Sequence, residues 1–132
     1  MYSAQVLDHF EHPRNAGEIA DADASAEIEN PVCGDVLRLT LKLDGDRIAD
    51  IRFKAKGCVP SIACASMLTE LVIGKSTETA RRIRRETIVE ALGGLPQAST
   101  HAAQLALDAL SAALRGLPTS NPGAAIHNCG TK

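Results

Sequence analysis

Residues 36–57 read VLRLTLKLDGDRIADIRFKAKG. Leu37, Leu39, Leu41 and Leu43 alternate with Arg38, Thr40 and Lys42, the period of a strand with one buried face. Asp44-Gly45 is a hairpin turn signal. On the return, Ile51, Phe53 and Ala55 alternate with Arg52, Lys54 and Lys56. Ile48 is out of phase with that second run, which predicts a bulge or a late strand start beside it. Upstream, Ala26 and Ile28 alternate with Glu27 and Glu29, giving a short strand over 26–30. Its glutamates can sit across from Arg38 and Lys42, pairs worth roughly 0.2–1 kcal/mol each.

Helices flank this sheet in sequence. Ser3 as N-cap and Pro13 as stop bracket an amphipathic helix carrying Val6, Leu7 and Phe10. The stretch from Arg14 to Ala24 is polar and connective. After Gly57, Pro60 suits the first turn of a helix over 61–73 that stops at Gly74. Residues 77–85 and 86–92 read as two shorter helices, closed by Gly93-Gly94-Leu95-Pro96. Ser99 or Thr100 caps a last helix reaching Arg115, with Gln104, Asp108, Ser111 and Arg115 as its polar stripe. The segment 116–132 is rich in Gly, Pro, Ser and Asn and reads as a flexible tail. Strands followed by helices imply an α+β domain over residues 1–115, a three-stranded antiparallel sheet packed on helices.

Composition narrows the function. The chain has 132 residues and a net charge of −2, so neither nucleic acid nor an anionic membrane is expected as a partner. Tyr2, Phe10 and Phe53 are the only aromatics, too few for a base-stacking platform. No apolar stretch approaches the length of a membrane span. The N-terminal residues are charged and lack an apolar core, so no secretory signal is expected and the compartment is read as cytoplasmic. Thiols stay reduced there, and the four cysteines must serve metal, redox chemistry or packing.

Two loops carry candidate chemistry. Asn30-Pro31-Val32-Cys33-Gly34-Asp35 lies between the first two strands; Gly57-Cys58-Val59-Pro60 lies between the third strand and a helix. Antiparallel topology returns both to one end of the sheet, so Cys33, Asp35 and Cys58 are expected to converge. A helix N-terminus beside Cys58 favours its thiolate. Cys33 and Cys58 read as ligands because Pro, Gly and Asp are not core company. Cys64 shares a helix face with Leu68, Leu71 and Val72 and reads as core. His101, in the first turn of the last helix, is either simply solvated or completes a Cys, Cys, His, Asp set suited to Zn²⁺ or an iron–sulfur site. His9 and His12 read as solvated. Cys129 in the tail is free, regulatory or a swinging ligand. The run Arg81-Arg82-Ile83-Arg84-Arg85 reads as a solvated face, with docking of an acidic protein as the alternative. A hydrolytic metal site needs an open position and a separate base, which the sequence does not offer, so no enzyme is expected.

These motifs, with Ser61-Ile62-Ala63, Leu71-Val72-Ile73-Gly74-Lys75-Ser76 and the opening Tyr2-Ser3, Asp8-His9-Phe10 and His12-Pro13-Arg14-Asn15, resemble the U-type iron–sulfur cluster scaffold family (IscU, the NifU N-terminal domain, SufU). The resemblance runs over residues 1–115. It implies a scaffold that takes iron, and sulfur from a cysteine desulfurase, builds a [2Fe–2S] cluster and passes it to recipient apo-proteins. Its first cysteine falls on Cys33, its aspartate on Asp35, its second cysteine on Cys58 and its histidine on His101.

The departures are specific. The family's His-Cys is His101-Ala102 here, so the third cluster cysteine is missing. Its Leu-Pro-Pro-Val-Lys segment is Leu95-Pro96-Gln97-Ala98-Ser99, so docking of a dedicated Hsp70 chaperone is not expected. The chain is too short before the last helix for the SufU insertion, which puts it nearer the IscU/NifU branch. Three accounts follow. Cys33, Asp35, Cys58 and His101 hold iron or a [2Fe–2S] cluster. Alternatively, the same set binds Zn²⁺, in a homologue that assists or regulates a desulfurase without building clusters. In the third, Cys129 folds back to replace the lost thiolate. A monomer, or a dimer joined by a cluster on Cys33 and Cys58 of two chains, fits the first.

Overall fold

The computed structural model describes residues 2–30 and 34–115. The hairpin read from alternation is its centre: β2 (Asp35–Asp44) pairs antiparallel with β3 (Arg47–Lys56) and, on its other side, with β1 (Ala24–Asn30). The sheet order is β1-β2-β3. Register sets Leu37, Leu39 and Leu41 opposite Ala55, Phe53 and Ile51, so one face is apolar along its length. The ladder slips between Lys42 and Leu43, where Leu43 pairs with Ile48 and Lys42 with Asp50. That irregularity restores Ile48 to the core, where it is fully buried.

Among the described residues, five α-helices follow or precede the strands: α1 (Ala4–Glu11), α2 (Val59–Val72), α3 (Thr77–Arg81), α4 (Arg85–Ala91) and α5 (Thr100–Arg115). α5 lies on β1 and β2, α2 lies on β3 and against α5, and α1 packs on α2. The α+β architecture, with a three-stranded antiparallel sheet on helices, is therefore the one expected. α2 is buried nearly all round, through Ala63, Cys64, Ala65, Leu68 and Val72 among others, as suits a helix between two layers. α5 keeps Gln104, Asp108, Ser111 and Arg115 on its exposed side and buries Leu105, Ala106, Ala109 and Leu110.

Several expectations are corrected. β1 begins at Ala24, two residues early, because the ladder to Leu41 and Thr40 continues through Ala24 and Ser25. α2 begins at Val59, with Cys58 as its N-cap and Pro60 in the first turn. The helix expected over 77–85 ends at Arg81, and a 3₁₀ turn at Gln97–Ser99 precedes α5. The stretch after α1 is more than connective: Gly17 N–H donates to the Phe53 carbonyl (2.8 Å) and Phe53 N–H to the Asn15 carbonyl (3.0 Å). It thereby covers part of the outer edge of β3. It also supplies the charge partners on the polar face. Arg38 does lie opposite Glu27, but its ion pair is with Glu18 (3.3 Å), and Lys42 pairs with Asp21 and Asp23.

His9 is buried, not solvated. Its Nδ1 lies 2.8 Å from Ser66 Oγ on α2, and Arg14 N–H donates to the same oxygen. Burial first, and the Arg14 charge next, hold the His9 pKa below the usual histidine value, against Asp8 and Glu70, which push it up. A histidine favouring its neutral form when folded contributes stability that is fully present above its unfolded pKa of about 6.5 and is lost as pH falls from there through its lower folded pKa. The melting temperature is expected to drop between pH 7.5 and 5.5, and His9→Asn to drop less over that interval. Parallel profiles for the two proteins would contradict this.

Candidate metal centre

The ends of four elements meet where the two sequence loops were expected to converge. Val36 pairs with Lys56 in the ladder, so the adjacent Asp35 and Gly57 face each other as β2 starts and β3 ends. The chain then passes to Cys58, the N-cap of α2. A Cβ on Gly57 would stand 2.5 Å from Asp35 Oδ1 and 2.7 Å from its Cγ. The bare backbone of Gly57 is what lets the Asp35 carboxyl tuck in, and Asp35 is only 4% exposed.

That buried carboxyl is held by hydrogen bonds. Ser61 Oγ–H donates a short bond to Asp35 Oδ2, and the Cys58 thiol points at the same oxygen from 3.4 Å. Cys58 Sγ is also 3.2 Å from Ser61 Oγ, while Cys58 itself is solvent-exposed. From α5, His101 completes the group: ligand atoms of Asp35, Cys58 and His101 all lie within 4.8 Å of one another. His101 Nδ1 lies 3.1 Å from the Ala98 carbonyl. A carbonyl only accepts, so Nδ1 carries the proton and the imidazole lone pair falls on Nε2, the usual arrangement of a ligating histidine. A depression of about 280 Å³ between β1 and α5, lined by Glu29, Asn30, Gln104 and Asp108 among others, opens beside His101.

A thiol, an imidazole and a carboxylate this close form a donor set for Zn²⁺ or iron. Three of the four residues expected as ligands are thus together. The fourth, Cys33, lies outside the described residues with Pro31 and Val32, as does the segment 116–132 with Cys129. The chain on either side of that gap is tied by Gly34 N–H donating to the Asn30 carbonyl at 2.7 Å. Ala102, next to His101, is 1% exposed and has no donor atom.

Cys64 behaves as core. It is fully buried, and burial, with a smaller effect of Cys58, pushes its thiol pKa up to about 12. The arginine run is exposed and largely paired: Arg82 with Glu78 at 2.7 Å, Arg84 and Arg85 with Glu86. Arg81 instead donates to the Leu114 carbonyl at the end of α5. Two residues of the centre, Gly57 and Ser61, stand in the motifs read from the sequence but were given no role there. For Ser61 a signal existed: it lies three residues after the N-cap Cys58, the spacing that brings side chains together on a first helical turn.

The fold and this centre define an α+β domain with a candidate metal-ligand set at one end of a small sheet. The NifU-like N terminal domain family matches the chain over residues 1–121, and the chain belongs to it, the family of U-type cluster scaffolds. It is 48% identical over 114 residues to the iron–sulfur cluster assembly scaffold protein IscU 1 of Archaeoglobus fulgidus, covering 86% of this chain and 74% of that protein. It is 42% identical over 117 residues to IscU of Escherichia coli, with 86% and 91% covered. Among solved structures, a candidate SUF-system scaffold from thermophilic Fervidobacterium islandicum AW-1 superposes with a TM-score of 0.71 at 26% identity, covering 86% of this chain and 96% of that one. These relatives are named as scaffolds rather than enzymes, in line with the sequence reading. Among the described residues, no helix is long and apolar enough to cross a membrane.

Proposed function

We propose that this chain is an iron–sulfur cluster assembly scaffold that holds iron or a [2Fe–2S] cluster as cargo on Cys33, Asp35, Cys58 and His101 and passes it to recipient proteins. The observation that carries this is the convergence of the Asp35, Cys58 and His101 ligand atoms within 4.8 Å. Cys33 is two residues before Asp35 in the chain and supplies the second thiolate. Mixed Cys and His ligation is established chemistry for iron–sulfur centres. Sulfur comes from a cysteine desulfurase, and the protein works in the cytoplasm as a monomer or a cluster-linked dimer. Docking of a dedicated Hsp70 is not part of the proposal, because residues 95–99 depart from the family's segment.

Anaerobic reconstitution with Fe²⁺ and sulfide is expected to give visible charge-transfer bands. Cys33→Ala is expected to abolish them or shorten their lifetime by at least tenfold. Unchanged bands in that variant would remove Cys33 from the ligand set. The reading of the site as a Zn²⁺ site is favoured by one observation: the buried Ala102 offers no donor beside His101, leaving two thiolates where a cluster usually has more. Its result would be a colourless protein with one Zn²⁺ per chain and no desulfurase-dependent cluster formation.

A further inference from the structure

We propose that Ser61 is a positioning residue of this metal centre, fixing Asp35 and Cys58 at the spacing a metal ion requires; this rests on the ligand reading just given. Three observations converge on it. Ser61 Oγ is within hydrogen-bond reach of both candidate ligands, donating to Asp35 Oδ2 and standing 3.2 Å from Cys58 Sγ. Ser61 is 5% exposed and lies in the first turn of α2, so its hydroxyl is set by the helix and not by solvent. The carboxyl it holds has little freedom otherwise, since the Gly57 backbone lies against it on the β3 side.

The hydroxyl has one proton and two lone pairs, and both are used. The proton goes to Asp35 Oδ2, which fixes the carboxylate plane. With its proton so committed, Ser61 Oγ can only accept from the Cys58 thiol, which donates to it or to Asp35 Oδ2. When Cys58 gives up its proton to bind a metal, the Ser61 bond to Asp35 remains, and Asp35 keeps its orientation. Outer partners of this kind orient ligands, and their loss typically costs 10–100-fold in metal affinity. Nothing in the pattern of apolar residues requires a hydroxyl at this position: Ala would fill the same first-turn site between Pro60 and Ile62.

The test titrates the full-length protein, reduced and metal-free, with Co²⁺ alone, reading the thiolate-to-cobalt absorption together with the melting temperature of the apo protein. Ser61→Ala is expected to bind Co²⁺ about 10–100-fold more weakly and to shift the band. Ser61→Thr, which keeps the hydroxyl, is expected to stay within a few-fold of wild type. A serine that mattered only for folding would lower the apo melting temperature of Ser61→Ala and leave the Co²⁺ affinity and band unchanged. That result, or tighter binding by Ser61→Ala, overturns the inference while leaving the ligand reading in place. A wild-type protein that gives no thiolate-to-cobalt band overturns the ligand reading itself, and the role of Ser61 with it.

Discussion

Gly57→Ala is expected to destabilise the protein by about 1–3 kcal/mol and to weaken Co²⁺ binding at least tenfold, although it adds only a methyl group. The backbone at Gly57 is not in the left-handed region, so the cost lies in the methyl itself. The new Cβ would fall 2.5 Å from Asp35 Oδ1, 2.7 Å from its Cγ and 3.1 Å from its Cβ. A long side chain could swing its tip away; a short aspartate met along its whole length cannot. Asp35 is also buried and bound to Ser61. Moving it strips a hydrogen bond from a buried carboxyl and misplaces a proposed ligand. Urea unfolding and Co²⁺ titration measure the two effects. In an Asp35→Ala background the two shortest contacts disappear and only the 3.1 Å one to the Cβ at position 35 remains, so Gly57→Ala is expected to cost clearly less in stability. Equal destabilisation in both backgrounds would mean that the methyl meets something other than Asp35.

The same local contact marks the limit of what the sequence made legible. Period-two alternation exposed the β2–β3 hairpin and even the slip at Ile48, because a half-buried strand writes its register into every second residue. Topology then placed Asp35 beside Cys58 without any side-chain information. What periodicity does not encode is a contact between a backbone hydrogen and a side chain on another strand, as at Gly57, or a hydroxyl serving two neighbours, as at Ser61. His9 was missed for a related reason. The apolar residues of α1 suggested a face running through Val6, Leu7 and Phe10. Leu7 is 42% exposed, and the buried face instead includes Val6 and His9, whose partner is the polar Ser66. A buried polar pair between two helices leaves no hydrophobic trace in either. His101 was ambiguous by residue pattern alone, and a ligand role for it is what the family resemblance implies; the structure places it within 4.8 Å of Asp35 and Cys58.

Cys58 and Cys64 are one residue type six positions apart, the first at the N-cap of α2 and the second inside it, and their replacement is expected to give opposite results. Cys58→Ala should abolish the reconstituted cluster bands and lower Co²⁺ affinity at least a hundredfold, because it removes one thiolate from the proposed set of four ligands. It should change apo stability little: Cys58 is exposed and, as N-cap of α2, makes no side-chain capping bond to the helix backbone. Asp35 would keep its Ser61 donor. Cys64→Ala should do the reverse. Its thiol is fully buried in the core and has a pKa raised to about 12, so almost none of it is thiolate near neutral pH and none is offered to a metal. Cutting the buried sulfur back to a methyl leaves a small void, costing about 1–2 kcal/mol, with Co²⁺ affinity and cluster bands intact. Urea unfolding and Co²⁺ titration of both variants separate the two roles. Loss of metal binding in Cys64→Ala with a folded protein would show that α2 contributes to the centre through its core face as well as its N-terminus.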